Sequence, residues 1–208
     1  MVNLEENPSH GAEHHYADLY LSPVVLEILK EVSSSRRLRL IDVGCGDGYG
    51  AWRYAEAGHE VQGFDASEVE IGRAQSRHPE LHFEVASIYD KDIVSRWKGP
   101  VDGVVALEVV EHLFDPKAFF AQCHRLLKEG GHLIVSTPYH GYWKNLALGI
   151  LGKWDQHHGV DWDGGHIKFF AWGSLSEMAR KAGFRNLRFR GVGRIPFFWK
   201  SMILVAEK

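Results

Sequence analysis

The chain has 208 residues, with 24 Lys and Arg against 27 Asp and Glu and a hydrophobic fraction of 45%. That is the length of one domain with an ordinary globular balance, which excludes a disordered or fibrous chain. The formal net charge of -3 argues against a general nucleic-acid binder, since such proteins are more often basic. No apolar run reaches the ~18 residues of a membrane-spanning helix. The opening MVNLEENPSH lacks the basic start and apolar core of a secretory signal. Cys45 and Cys123 are the two cysteines and read as reduced thiols. The expectation is a cytoplasmic protein with no membrane or nucleic-acid partner.

Residues 1–35 read as a polar, His-bearing arm followed by a helix, capped by Ser22, with Pro23 in its first turn and Val25, Leu26 and Leu29 on its apolar face. From residue 38 strands and helices alternate. LRLIDV (38–43) is a strand, Tyr49 to Ala57 a helix stopped by Gly58, and VQGFD (61–65) a second strand. Ser67 with Glu70 forms a capping-box pattern for a helix that ends before Pro79. Strands follow at 81–86 and 101–108. Asp115 caps a helix with Pro116 in its first turn, which carries Phe119, Phe120, Cys123 and Leu126 on one side and ends at Gly130-Gly131. HLIVST (132–137) is a fifth strand. Residues 138–172, rich in Trp, Tyr, His and Gly and without a clear period, read as an acceptor-side insertion or lid. A last helix starts at Ser174 with Glu177 as its capping partner, and two strands follow near 187–189 and 202–206.

This order predicts one α/β domain over residues 1–208: a doubly wound, seven-stranded, mostly parallel sheet with right-handed crossovers. Such folds bind ligands at the carboxyl ends of their strands. Asp42-Val43-Gly44-Cys45-Gly46-Asp47-Gly48 stands where the first strand meets the first helix. Glycines permit close backbone approach, and the helix start offers free N–H groups to an anionic group. Asp65 ends the second strand, where a carboxylate can accept both hydrogen bonds of a ribose diol. Asp47 has two readings, a helix-start stabiliser or a partner for a cationic ligand group. Two nucleoside ligands fit this pattern, because Gly46, Gly48 and Ala51 also match the dinucleotide spacing.

LIDVGCGDG, FDAS, VDGVVALEVVEHL and GGHLIVSTP together resemble class I S-adenosylmethionine-dependent methyltransferases, over about residues 38–138. The likeness is strongest to the small-molecule O-methyltransferases related to the ubiquinone-biosynthesis enzyme. The resemblance implies a Rossmann-like sheet whose last strand is antiparallel, with S-adenosyl-L-methionine as cofactor. It implies cofactor contacts at Asp42, Gly44, Gly46, Gly48, Asp65, Ala66, Ser87, Ile88, Leu107 and Glu108. Gly44, Gly46 and Gly48 pass beneath the methionine part, Asp65 takes the ribose, and Ala66, Ser87 and Ile88 lie by the adenine. Leu107 and Glu108 face the amino-acid end.

Glu108-Val109-Val110-Glu111-His112 also resembles a divalent-cation segment of some ubiquinone-pathway and small-RNA 2′-O-methyltransferases, with His166 as a later ligand. The same letters occur in relatives without a metal, and no metal is the expectation here. The transferred methyl is expected on oxygen of a small-molecule acceptor, with His112, His166 and Tyr139 as the catalytic candidates and His140 as a further base. His14 and His15 either close over the cofactor or face solvent. The rival readings are an NAD(P)-dependent reductase, which leaves ALEVVEHL unexplained, and a non-catalytic S-adenosylmethionine-binding module.

Overall fold

In a computed structural model, described for residues 9–97, 99–155 and 165–208, seven strands form one sheet. They are β1 (Arg39–Val43), β2 (Glu60–Asp65), β3 (His82–Val85), β4 (Val101–Ala106), β5 (Leu127–Pro138), β6 (Arg185–Val192) and β7 (Ser201–Glu207). Their order is β3-β2-β1-β4-β5-β7-β6. The pairs among β1 to β5 are parallel, and β7 runs antiparallel to both β5 and β6. This is the expected sheet, reversed strand included.

Helices cover both faces. They are α1 (Ser9–Ser33), α2 (Tyr49–Glu56), α3 (Glu68–Arg77), α4 (Ile93–Arg96), α5 (Pro116–Leu126), α6 (Tyr142–Ile150) and α7 (Trp172–Lys181). Successive side chains of a strand alternate between faces. Val104 therefore joins the core of Phe119, Phe120 and Leu175, and Val105 joins that of Leu21, Val25 and Leu40. All six residues of β4 are buried, as expected for a central strand covered on both sides.

Several boundaries differ from the sequence expectation. Ser22 does not open α1, because Pro23 lies inside it. A proline there removes one helical hydrogen bond. The helix continues through it because Leu21, Val25, Ile28 and Leu29 are fully packed in one core. Tyr20 also pins α1 to β7, its hydroxyl lying 2.7 Å from Ser201 Oγ. Helix α5 stops at Leu126, so Gly130-Gly131 belongs to β5. A side chain at Gly131 would meet Asp102 O at 3.1 Å, so glycine lets β5 close on β4. Helix α7 starts at Trp172; Ser174 bonds back to Ala171 N–H at 3.2 Å, and Glu177 pairs with Lys181 instead of capping. Residues 142–150 form a helix where an irregular segment was expected.

Two helix starts follow the sequence reading. Asp115 Oδ1 accepts from Lys117 and Ala118 N–H at 3.1 Å, and Ser67 Oγ accepts from Glu70 N–H at 3.3 Å. Among the described residues no helix is long and apolar enough to cross a membrane.

Candidate active site

The glycine loop leaves β1 at Val43 and is tied to β2. Phe64 O accepts from Gly44 N–H at 2.8 Å and Cys45 N–H at 3.1 Å. Asp65 Oδ2 accepts from Gly46 N–H at 3.0 Å, and Oδ1 accepts from Ser67 N–H at 2.9 Å. Each carboxylate oxygen retains a lone pair for a ligand donor. Gly44 has φ +67°, and a Cβ there would lie 2.5 Å from Val109 Cγ2. Gly48, at φ +83°, is the N-cap of α2. Both positions favour glycine for backbone reasons and for space, since a Cβ at Gly48 would lie 2.7 Å from Phe83 Cζ.

A cleft of about 200 Å³ opens over the ends of β1, β2 and β4. Of the expected cofactor residues, Gly44, Asp65, Ala66, Ser87, Ile88 and Glu108 line it. Asp42, Gly46, Gly48 and Leu107 do not. Asp42 is buried under the loop, where Gly50 leaves room for it, its Oδ2 lying 3.3 Å from where a Cβ would stand. Gly46 and Gly48 shape the turn, and Leu107 packs with Cys45, Val105 and Ile134. Val109 and Leu113 also line the cleft and were not singled out from the sequence, although both lie in the LEVVEHL run that follows β4.

Asp47 stabilises the start of α2, accepting from Tyr49 N–H at 3.2 Å and pairing with Arg77. Cys45 and Cys123 are both buried thiols, and burial raises the Cys45 thiol well above its ordinary range.

After β4 the backbone turns sharply: Glu108 sits at φ +53°, a region that non-glycine residues seldom occupy. Ser136 holds it there. Its Oγ accepts from Glu108 N–H at 2.9 Å and donates to Glu108 Oε1 at 2.7 Å. Burial raises the Glu108 carboxyl to about 7, against the opposing pull of Ser136 and Ser201 and the charges of Lys200 and Lys144.

The next turn, Val110–His112, is a short 3₁₀ helix. Its Glu111 is fully buried, and among the described residues neither carboxylate oxygen has a hydrogen-bond partner within 3.5 Å, Thr137 being the side chain that acts on it as a donor. The carbonyl of Glu111 accepts from Ile167 and Lys168 N–H, each at 3.0 Å, which draws His166 toward it. His166 Nε2 lies 3.9 Å from Glu111 Oε1, and the His112 and His166 ring centroids are 4.9 Å apart. One ligand atom from each of Glu111, His112 and His166 falls within 4.8 Å of the others. Burial first, and the Glu108 charge second, push the Glu111 carboxyl well above its ordinary range.

The three catalytic candidates are placed differently. His112 lines the cleft, and His166 stands behind it. Tyr139 does not line the cleft: its ring packs against Trp199 at 5.2 Å and Phe189 at 6.2 Å. β7 is inserted beside β5, and the aromatic turn after β6 captures the ring. His140 is buried with its ring 5.2 Å from that of Phe169. The side chains of His14 and His15, and residues His157, His158 and Trp162 of the expected lid, lie outside the described residues.

The sheet with its reversed strand, and the glycine loop beside Asp65, define an S-adenosylmethionine-dependent methyltransferase. The chain matches the family model described as a methyltransferase domain over residues 13–188, and it belongs to that family. It is 28% identical over 202 residues to a ubiquinone biosynthesis O-methyltransferase of Cereibacter sphaeroides, covering 92% of this chain and 79% of that one. To the protein of the same name from Nitrobacter winogradskyi it is 31% identical over 169 residues, covering 77% of this chain but only 61% of the relative. Its fold is similar to that of magnesium protoporphyrin IX methyltransferase from Synechocystis with bound S-adenosylhomocysteine. There the TM-score is 0.68 at 21% identity, over 90% of this chain and 82% of that one. The reductase reading is thereby set aside.

Proposed function

We propose that the chain transfers a methyl group from S-adenosylmethionine to a hydroxyl of a small, partly apolar acceptor. The observation that carries this reading is that the glycine loop, Asp65, Glu108 and His112 meet at one cleft. The residues fit the cofactor: Asp65 has acceptor capacity left for a ribose diol, and Gly44 keeps the backbone clear where a Cβ would clash. When bound, the cofactor supplies a methyl group activated by its sulfonium. Asp65 would hold the ribose, Ala66, Ser87 and Ile88 would take the adenine, and Gly44 with Glu108 would take the amino-acid end.

The protein then has to align the acceptor and exclude water, and orientation alone supplies up to ~7–11 kcal/mol in favourable cases. His112 takes the acceptor proton on an imidazole nitrogen, with His166 beside it. The acceptor's small size is supported by the names of the two relatives. The net charge of -3 supports a partner other than nucleic acid, and two buried thiols without a disulfide support the cytoplasm. The test is turnover with labelled S-adenosylmethionine on a panel of phenols, amines and a short RNA. Oxygen methylation of a phenol supports the reading, and sequence-selective activity on RNA overturns it.

A second reading rests on Glu111. A buried carboxylate without a close donor is costly, and Glu111 lies within reach of His112 and His166. These residues fit a divalent cation, with one carboxylate and two imidazoles suiting Mn²⁺ or Zn²⁺. Such an ion would lower the pKa of an acceptor hydroxyl nearby. Turnover that survives exhaustive chelation supports His112 as the base without a metal. Turnover lost on chelation and restored by Mn²⁺ supports the cation.

A further inference from the structure

The nucleoside end of the cleft lies between two segments that the sheet does not join. Ala86, Ser87 and Ile88 line it from the turn after β3, and His112 and Leu113 line it from the segment between β4 and α5. In the sheet β2 and β1 stand between β3 and β4, so strand pairing does not set the spacing of these two walls. That spacing has to come from contacts above the strand ends.

The turn after β3 is closed on itself. Asp90 Oδ2 accepts from Ser87 N–H at 3.0 Å, Ser87 O accepts from Asp90 N–H at 3.0 Å, and Ser87 Oγ accepts from Tyr89 N–H at 3.2 Å. Behind it, Ala86 N–H donates to Asp65 O at 2.9 Å, which ties the turn to the end of β2. Ahead of it, Tyr89 reaches across: its hydroxyl accepts from Asp115 N–H at 3.0 Å. Asp115 is the N-cap of α5, and its side chain is occupied by the Lys117 and Ala118 N–H groups. Its own backbone N–H falls outside the helical ladder, and Tyr89 takes it. A longer second link runs from Gln122 Nε2 to Asp90 O at 3.5 Å. Tyr89 is 39% exposed, so water can take over the Asp115 N–H if the hydroxyl is removed, and the fold then loses little.

We propose that Tyr89 is a positioning residue for the cofactor, its hydroxyl fastening the turn after β3 to the start of α5 so that Ser87 and Ile88 stand at a fixed distance from Leu113. The inference rests on the S-adenosylmethionine reading and extends it to a residue outside the cleft lining. A ligand that enters walls already set spends less of its binding free energy on ordering them. Without the hydroxyl the two walls part more readily, and a bound nucleoside escapes faster.

The test is amide hydrogen exchange at Asp115 together with stopped-flow dissociation of two ligands, S-adenosylhomocysteine and 5′-methylthioadenosine. The second carries the nucleoside without the amino-acid end. In the wild-type protein the Asp115 amide is expected to be protected, and more so with S-adenosylhomocysteine bound. In Tyr89→Phe that protection is expected to fall about tenfold and both ligands to dissociate about fivefold faster, the size that one hydrogen bond supplies. The melting temperature of the unliganded variant is expected to stay within about 2 °C of wild type. A merely structural role gives the opposite split, a lower melting temperature with dissociation unchanged. An unprotected Asp115 amide in the wild type, dissociation from Tyr89→Phe within about twofold of wild type, or an effect on S-adenosylhomocysteine that 5′-methylthioadenosine does not share overturns the proposal. The wild-type exchange measurement decides even if the variant does not fold. Failure of the wild-type protein to bind S-adenosylhomocysteine overturns the cofactor reading as well. Cofactor binding with unchanged dissociation in Tyr89→Phe overturns the Tyr89 proposal alone.

Discussion

Gly46 N–H and Asp65 Oδ2 are 3.0 Å apart, so the carboxylate at the end of β2 holds the glycine loop while Oδ1 holds Ser67 N–H at 2.9 Å. Asp65→Ala removes both a ligand acceptor and the tie between loop and strand. It is expected to weaken S-adenosylhomocysteine binding by roughly 1–3 kcal/mol, the usual penalty for stranding buried donors. Calorimetry checks this, and an unchanged Kd removes Asp65 from the site.

Gly44→Ala tests the close approach at the loop. Its φ of +67° disfavours any side chain, and the new methyl would stand 2.5 Å from Val109 Cγ2. The left-handed backbone alone costs about 1–2 kcal/mol. Lower thermal stability is expected, together with cofactor affinity at least ~10-fold weaker, because Val109 must shift and it lines the cleft. A variant with wild-type melting and binding is the contrary result.

His112 and Tyr139 are expected to separate cleanly. His112→Ala lowers kcat by roughly 10²–10⁴, the range for a lost general base, while S-adenosylhomocysteine affinity stays within ~3-fold. Tyr139→Phe leaves kcat within about twofold, because its ring packs on Trp199 and Phe189 away from the cleft. Steady-state kinetics on the two purified variants decides, and a large kcat loss in Tyr139→Phe returns that hydroxyl to the reaction.

Asp102 gives a pH signature far from the chemistry. Burial raises its carboxyl, but the Arg39 N–H at 2.8 Å and the Lys128 and Arg36 side chains outweigh that and hold it at about 2. A carboxyl lowered in the folded state stabilises the fold above its unfolded pKa, and that contribution is lost as pH falls toward the folded value. Asp102→Asn is therefore expected to be about 1–2 kcal/mol less stable than wild type above pH ~5, with the gap closing between pH ~5 and ~2. Urea unfolding at a series of pH values measures it. A gap that does not change with pH counts against the assignment.

Much of the fold was legible because its signals are local. Alternating apolar runs mark β1 to β5, and Asp115-Pro116 and Ser67 mark helix starts. The glycine loop and Asp65 were legible together because both stand at strand ends that the topology brings side by side. Long-range packing overrode local signals elsewhere. Pro23 reads as a helix opener, yet the core beneath Leu21 and Val25 carries α1 through it. Gly130-Gly131 reads as a helix stop, yet both lie in β5, where Gly131 gives clearance against Asp102 and Gly130 takes a positive φ. Tyr139 follows β5 as an acceptor-side residue should, but the aromatic turn after β6 takes its ring. Lys144 gave no signal at all, since a lysine in an apolar helix reads as its solvent face and here is the face that is buried.

The place of β7 bears on how the molecule is made. It is the last strand in sequence, yet it is hydrogen-bonded to β5 on one side and β6 on the other. During vectorial synthesis β6 emerges with no neighbour to pair with, and β5 waits with one edge bare. Residues 201–207 then enter the gap and satisfy both strands at once. A nascent chain stalled before Ser201 therefore carries two open edges, the kind of surface that recruits chaperones or other unfinished chains.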